Sequence, residues 1–288
     1  MLSIKNFLSF LIFSVVLLLF SSSALAWGPA IHTVIACNII DDVGSMLPMI
    51  SSVIKSFPLE YIYGSMAADF FIGRGQKKKD GHSHNWETGF SLLNEAGNER
   101  DAAYAYGFLS HLAADVVAHN YFVPSHINRK STLKKVGHLY SEAVADRLVG
   151  PFYMRIASDV LSMDRLGCDK LLQSAVKRSR YGLKAKRHIF TRTVKISEYL
   201  YCLPNVLQNM GKSGEKIPHD NIIFMIGLSL KLVRDLLSNP DSSPCLSHDP
   251  IGARNIKKAG RNGFLSRIFR NDHGNKQNFP IDQKLLNL

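Results

Sequence analysis

Within the apolar run from Tyr106 to Phe122 stand His111, Asp115 and His119, spaced four and four. At 3.6 residues per turn this spacing lines three polar groups along one stripe of a helix. Most other positions of the run are Leu, Ala, Val and Phe, so the stripe faces the interior or a cleft. Burying three such groups unpartnered costs several kcal/mol. A cation held between them removes that cost, because imidazole and carboxylate are zinc donors and an aspartate can bridge two ions. The chain is therefore constrained to a fold in which further ligands converge on this helix.

Candidates for those ligands stand on both sides. His138 and Glu142 lie one turn apart on the next helical stretch, and facing helices that each project imidazole and carboxylate groups inward are how helical bundles build metal sites. Upstream lie Asp69 at the end of an apolar segment, His82 and His84 in Gly81-His82-Ser83-His84-Asn85-Trp86, and His32, five residues after Trp27. Taken alone, a His-Glu pair at i,i+4 is often a surface contact of about 0.2–0.5 kcal/mol. Two adjacent helices both carrying such stripes are not explained that way. His188, His219, His248 and His273 show no such grouping and read as ordinary core or surface histidines.

The rest of the chain reads as helices. Apolar residues recur at three and four over Ile31–Ile54, which fits two short helices. Asn85–Ala96 fits another, and Asp101 is a natural N-cap for the long metal-ligand helix, which runs to about Phe122 before Pro124. Leu133–Leu161 continues the pattern with a break at Gly150-Pro151, and helices follow around Cys168–Gln208 and Asn221–Leu237. No segment alternates strictly as a half-buried strand does, so the fold class is an all-α multi-helix bundle. The first residues have the pattern of a secretory signal: Lys5, an apolar run over Phe7–Phe20, and Ala24-Leu25-Ala26 as a cleavage site. Residues 1–26 are thus a signal peptide, 27–240 the helical domain, and 241–288 a basic, loosely ordered tail rich in Ser, Pro, Gly and Asn. A secreted or periplasmic protein is the expectation. Cysteines at 37, 168, 202 and 245 have no zinc-knuckle or redox spacing, and their pairing, for example Cys168 with Cys202, stays open. The net charge of +12 favours anionic partners without choosing among phospholipid, envelope and nucleic acid.

With these residues assembled, the sequence resembles the zinc-dependent phospholipase C family, and more distantly the three-zinc single-strand nucleases of the same helical fold. The likeness runs over roughly Trp27–Gly150 and is most specific in Ser110-His111-Leu112-Ala113-Ala114-Asp115-Val116-Val117-Ala118-His119-Asn120 and His138-Leu139-Tyr140-Ser141-Glu142. Tyr63-Gly64-Ser65-Met66-Ala67-Ala68-Asp69 and His84-Asn85-Trp86 support it. In that family the mature chain begins with a tryptophan whose amine and carbonyl bind zinc, and cleavage after Ala26 leaves Trp27 first. The resemblance implies up to three zinc ions: one on Asp69, His84, His111 and Asp115, a second on Trp27, His32 and the bridging Asp115, a third on His119, His138 and Glu142. Asp69 would orient or deprotonate the attacking water. Here the second histidine follows Asp115 by four residues where the better-known secreted phospholipases have six, which leaves His126 as the other candidate. His84 is preferred over His82 because it adjoins Asn85-Trp86.

The function so implied is a secreted phospholipase C that hydrolyses phospholipid to diacylglycerol and a phosphorylated head group. It would touch the membrane surface transiently and need no obligate protein partner. One alternative is a single-strand nuclease or nucleotidase on the same cluster, which calls for exposed aromatic platforms; Tyr104, Tyr106, Tyr121 and Phe122 are near enough, but their helical spacing favours core packing. Another is a non-enzymatic envelope protein stabilised by zinc. Structural sites are usually closed by four protein ligands, whereas the implied third site leaves positions open.

Overall fold

Proline punctuates the helix starts. The computed structural model describes residues 27–71, 82–126, 144–164, 166–176, 180–201, 217–259 and 279–288. In it α1 (Pro29–Asp41), α2 (Pro48–Ser56) and α3 (Pro58–Ala67) each carry Pro in the first turn, where its missing amide costs no hydrogen bond. A 3-10 turn, Ala68–Phe71, extends α3. Next come α4 (Trp86–Asn94), α5 (Glu99–Val117), a π-helical turn over Ala118–Phe122, and α6 (Val123–His126). Residues 144–149 are helical, Gly150 breaks the chain at φ 89°, and α7 (Pro151–Ser162) restarts it. Then follow α8 (Leu166–Ala175), α9 (Arg180–Tyr201), α10 (His219–Ser238) and a short α11 (Gln283–Leu286). The protein is an all-α bundle, with no strand among the described residues.

Helix α5 is the axis of the bundle: every residue from Ala103 to Val117 is buried. Its N-cap is Asn98 rather than Asp101. The Asn98 side chain accepts from the Asp101 amide at 3.0 Å and donates to the Asp101 carboxylate at 2.9 Å, a cap that starts the helix three residues earlier than an Asp101 cap would. Around α5 pack α2, α3, α4 and α10. The α3 contact is the tightest. A Cβ on Gly64 would stand 2.0 Å from the Tyr104 carbonyl oxygen, and one on Gly107 2.0 Å from that of Tyr61, so only glycine lets these backbones meet. Helix α10 turns Ile222, Met225, Ser229, Leu232 and Leu236 inward. Tyr63 of α3 donates to Asp169 of α8 at 2.7 Å, and Arg187 of α9 pairs with the same carboxylate, which locks the later helices onto the first.

Over 241–259 and 279–288 the chain is packed, not loose. Cys245 and Leu285 are fully buried, and a 3-10 turn at Pro244–Ser247 leads to helical residues 253–259. Side-chain caps from Asp249 and Asp282, together with a few apolar anchors, fix a segment whose composition reads as polar. Cys37 and Cys245 are thiols, and Cys202 lies outside the described residues. Among the described residues no helix is long and apolar enough to cross a membrane.

Candidate metal centre

The stripe of α5 faces into the bundle. His111 and Asp115 are 1% exposed and His119 2%, deep enough that an unpartnered charge there would be untenable. Three other elements bring polar groups to them. His32 comes from the first turns of α1, Asp69 from the 3-10 turn after α3, and His84 from the residues that lead into α4. Six of the residues expected from the sequence thus form one cluster.

Its geometry divides at Asp115. Oδ2 lies 3.2 Å from His111 Nε2, 3.3 Å from His84 Nε2 and 3.5 Å from His119 Nε2, while Oδ1 faces His32 Nε2 at 3.5 Å. Asp69 Oδ1 stands 3.3 Å from His84 Nε2 and 3.8 Å from His111 Nε2, and those two nitrogens are 3.1 Å apart. Donors about 2.0–2.1 Å from a tetrahedral zinc lie roughly 3.3–3.4 Å from one another. Asp69, His84, His111 and Asp115 are spaced as such a set. His32 Nε2, Asp115 Oδ1 and His119 Nδ1 are buried and have no hydrogen-bond partner among the described residues. A cation between His32 and Asp115 accounts for two of these three atoms.

The surroundings aim the ligands. His111 Nδ1 donates to the Ser65 carbonyl at 2.8 Å, which fixes the tautomer and leaves the Nε2 lone pair turned to the cluster. The ring of His32 stacks on that of His111 at 3.9 Å. Burial, with His111 alongside, pushes the His32 imidazole down and keeps it neutral, the form that binds metal. Burial opposes charge on Asp115 too, but the facing His111 and His119 rings outweigh it and hold the carboxyl well below the usual range. For His84 the same contest is won by Asp115 and Asp69, and the imidazole is pushed up to about 10. Two carboxylates and four imidazoles buried together in this way suit a cation-binding pocket.

His82 is not in the cluster: its Nδ1 accepts from the His84 amide at 3.1 Å and its carbonyl from Thr88, so it shapes the turn that presents His84. Nor is His126, whose ring lies against Phe122 and whose Nδ1 donates to the Phe122 carbonyl at 2.7 Å. Trp27 is fully buried ahead of α1, its indole donating to Ser229 Oγ at 3.0 Å and lying against Phe122. His138 and Glu142 lie outside the described residues.

Sequence reasoning missed Asp146. Its carboxylate accepts from the amides of Ile31 at 3.1 Å and Ala30 at 3.4 Å, capping α1 from another segment and seating the turn that carries His32. A Cβ on Gly28 would stand 2.1 Å from that carboxylate. Burial pushes Asp146 up to about 7, with the α1 amides acting in the other direction. The signal was present, since Asp146 continues the four-residue spacing of His138 and Glu142.

The sequence profile of the zinc-dependent phospholipase C family matches residues 31–179, which contain all six residues of the cluster. The chain belongs to this family. No curated protein and no solved structure matches it. Zinc dependence in the family agrees with the donor types found here, and His119 supplies a histidine to the cluster from its position four residues after Asp115.

Proposed function

We propose that the chain, cleaved after Ala26 and exported, is a phospholipase C that cleaves the phosphodiester of a phospholipid into diacylglycerol and a phosphorylated head group. The observation that carries this reading is Asp115, whose two carboxylate oxygens face different histidines inside a buried cluster of a zinc-dependent phospholipase C. Asp69, His84, His111 and Asp115 would hold one zinc; His32 and Asp115, with the freed amine and carbonyl of Trp27, a second; His119, His138 and Glu142 a third. When bound, zinc supplies Lewis acidity toward the phosphodiester oxygens and toward water.

The protein's own part is orientation and proton handling. Asp69, whose Oδ1 stands beside His84 and His111, would hold zinc through that oxygen, and its carboxylate would orient the attacking water or accept its proton. His111 keeps its alignment through Ser65, and Asp115 stays ionised across the working range. A phospholipid rather than a nucleic-acid substrate is supported by the aromatic residues. Tyr104, Tyr106, Tyr121 and Phe122 are all buried, so none offers a face on which a base could stack.

The test is hydrolysis by zinc-loaded protein that begins at Trp27, on phosphatidylcholine vesicles and a soluble phosphocholine ester. Expected are diacylglycerol and phosphocholine, lost with a chelator and regained with zinc. A protein of measured zinc content that cleaves neither substrate but degrades single-stranded DNA would overturn the reading.

A further inference from the structure

The π turn that carries His119 is held from outside by a strap formed by residues 244–259, beyond the family match. Asp249-Pro250-Ile251-Gly252 is a tight turn closed by the Gly252 amide on the Asp249 carbonyl at 3.0 Å, with the Asp249 carboxylate accepting from Ile251 at 3.1 Å. Three contacts run from this strap to two adjacent residues. The Asn120 side chain donates to the Asp249 carbonyl at 2.8 Å, and also to Val116 at 3.0 Å within its own helix. Asn255 Nδ2 donates to the Asn120 carbonyl at 2.9 Å. Gly252, at φ 60°, lies so close that a Cβ there would stand 2.3 Å from the His119 carbonyl oxygen and 2.7 Å from the His119 Cβ.

The chemistry of the turn explains why a strap is useful. A π turn carries one residue more than an α-turn, which rotates every side chain after it, and such turns are rare and recur at functional sites. Pro124 has no amide to offer the Asn120 carbonyl four residues back. Asn255 supplies a donor to that carbonyl. His119 Nε2 faces Asp115 Oδ2 at 3.5 Å from the start of this turn, one residue before the carbonyl that Asn255 holds. We infer that the 244–259 strap is a positioning element of the metal centre, which through Gly252, Asp249 and Asn255 fixes the π turn and so aims His119 at its metal. This rests on the reading that the cluster binds zinc.

The experiment compares wild type, Asn255→Ala and Gly252→Ala, all as the full mature chain, with exposed Lys257→Ala as control. Zinc per chain is read by native mass spectrometry and affinity by chelator competition. The absorption spectrum of the cobalt-loaded protein and the urea midpoint of the metal-free protein are read beside them. Both strap variants should lose affinity at the weakest zinc position about 10- to 100-fold, the range for residues that orient a metal ligand. Their cobalt spectra should change, while Lys257→Ala matches wild type. If Gly252→Ala does not fold, Asn255→Ala, which removes one bond from a half-buried side chain, decides alone. Unchanged zinc affinity and an unchanged cobalt spectrum in Asn255→Ala, with only a lower urea midpoint, would reduce the strap to a cover and overturn the inference. A wild type that takes up no metal would instead sink the reading on which it rests.

Discussion

Replacing Gly107 with Ala should damage the metal centre from one turn away. The new Cβ would meet the Tyr61 carbonyl oxygen at 2.0 Å and the Ser65 amide nitrogen at 2.9 Å, both backbone atoms that cannot rotate aside. Reaching ordinary contact at 3.4 Å requires α3 and α5 to separate by roughly 1.4 Å. The bond from His111 Nδ1 to Ser65 spans the same helix pair at 2.8 Å, and half that separation stretches it to the 3.5 Å at which it ceases to count. Overpacking costs about 1–3 kcal/mol and the lost buried hydrogen bond about 1 kcal/mol more, so metal-free protein should lose roughly 2–4 kcal/mol in urea unfolding. Zinc affinity should fall a further 10- to 100-fold, because His111 is no longer aimed. Gly227→Ala is the control: it sits exposed in α10 with nothing within 4 Å of its Cβ, and should stabilise by about 0.5–1 kcal/mol. A Gly107→Ala protein that unfolds at the wild-type urea concentration and keeps wild-type zinc affinity would refute the argument that this helix contact positions His111.

Asp115→Ala removes the only carboxylate among the described residues that faces all four clustered histidines, and should lower zinc per chain by at least one, as measured by elemental mass spectrometry. Zinc uptake should release protons and tighten with pH: His84, pushed up to about 10, is protonated in neutral metal-free protein, so affinity gains about tenfold per unit from the His84 proton until pH nears 10. Calorimetry in buffers of differing ionisation enthalpy checks this, and zinc binding without proton release would contradict it. The same group makes metal-free protein more stable below its unfolded value of 6.5, an advantage lost as pH rises through about 10. Asp146 acts in the same direction, in a lower pH window. Raised to about 7, it keeps a proton that the unfolded chain has already lost above 3.8, so its contribution to metal-free stability declines as pH rises across that window. Asp146→Ala removes two caps from α1 and should cost roughly 2 kcal/mol in urea unfolding while weakening zinc held by His32.

The sequence by itself determined the helical class and the ligand stripe, because both are local. Spacing of four on an apolar helix places His111, Asp115 and His119 on one side whatever else the chain does, and the break at Gly150-Pro151 follows from proline's missing amide, whereas the cap of the ligand helix fell to Asn98 and not to Asp101. His84 over His82, and His119 over His126, turned on which ring reaches the interior. That choice depends on a turn built by His82 and Thr88, and on a π turn that no periodicity shows. The supporting atoms were less legible still. Ser65 acts through its carbonyl, a group every residue carries, and it reaches His111 only because Gly64 and Gly107 let two helices touch. Asn255 and Gly252 lie in a stretch whose polar composition reads as a tail, and they matter because folding returns that stretch to the metal-ligand helix more than 100 residues earlier in the chain. Local spacing decides which atoms can bind a metal; only packing between distant segments decides which of them point at it.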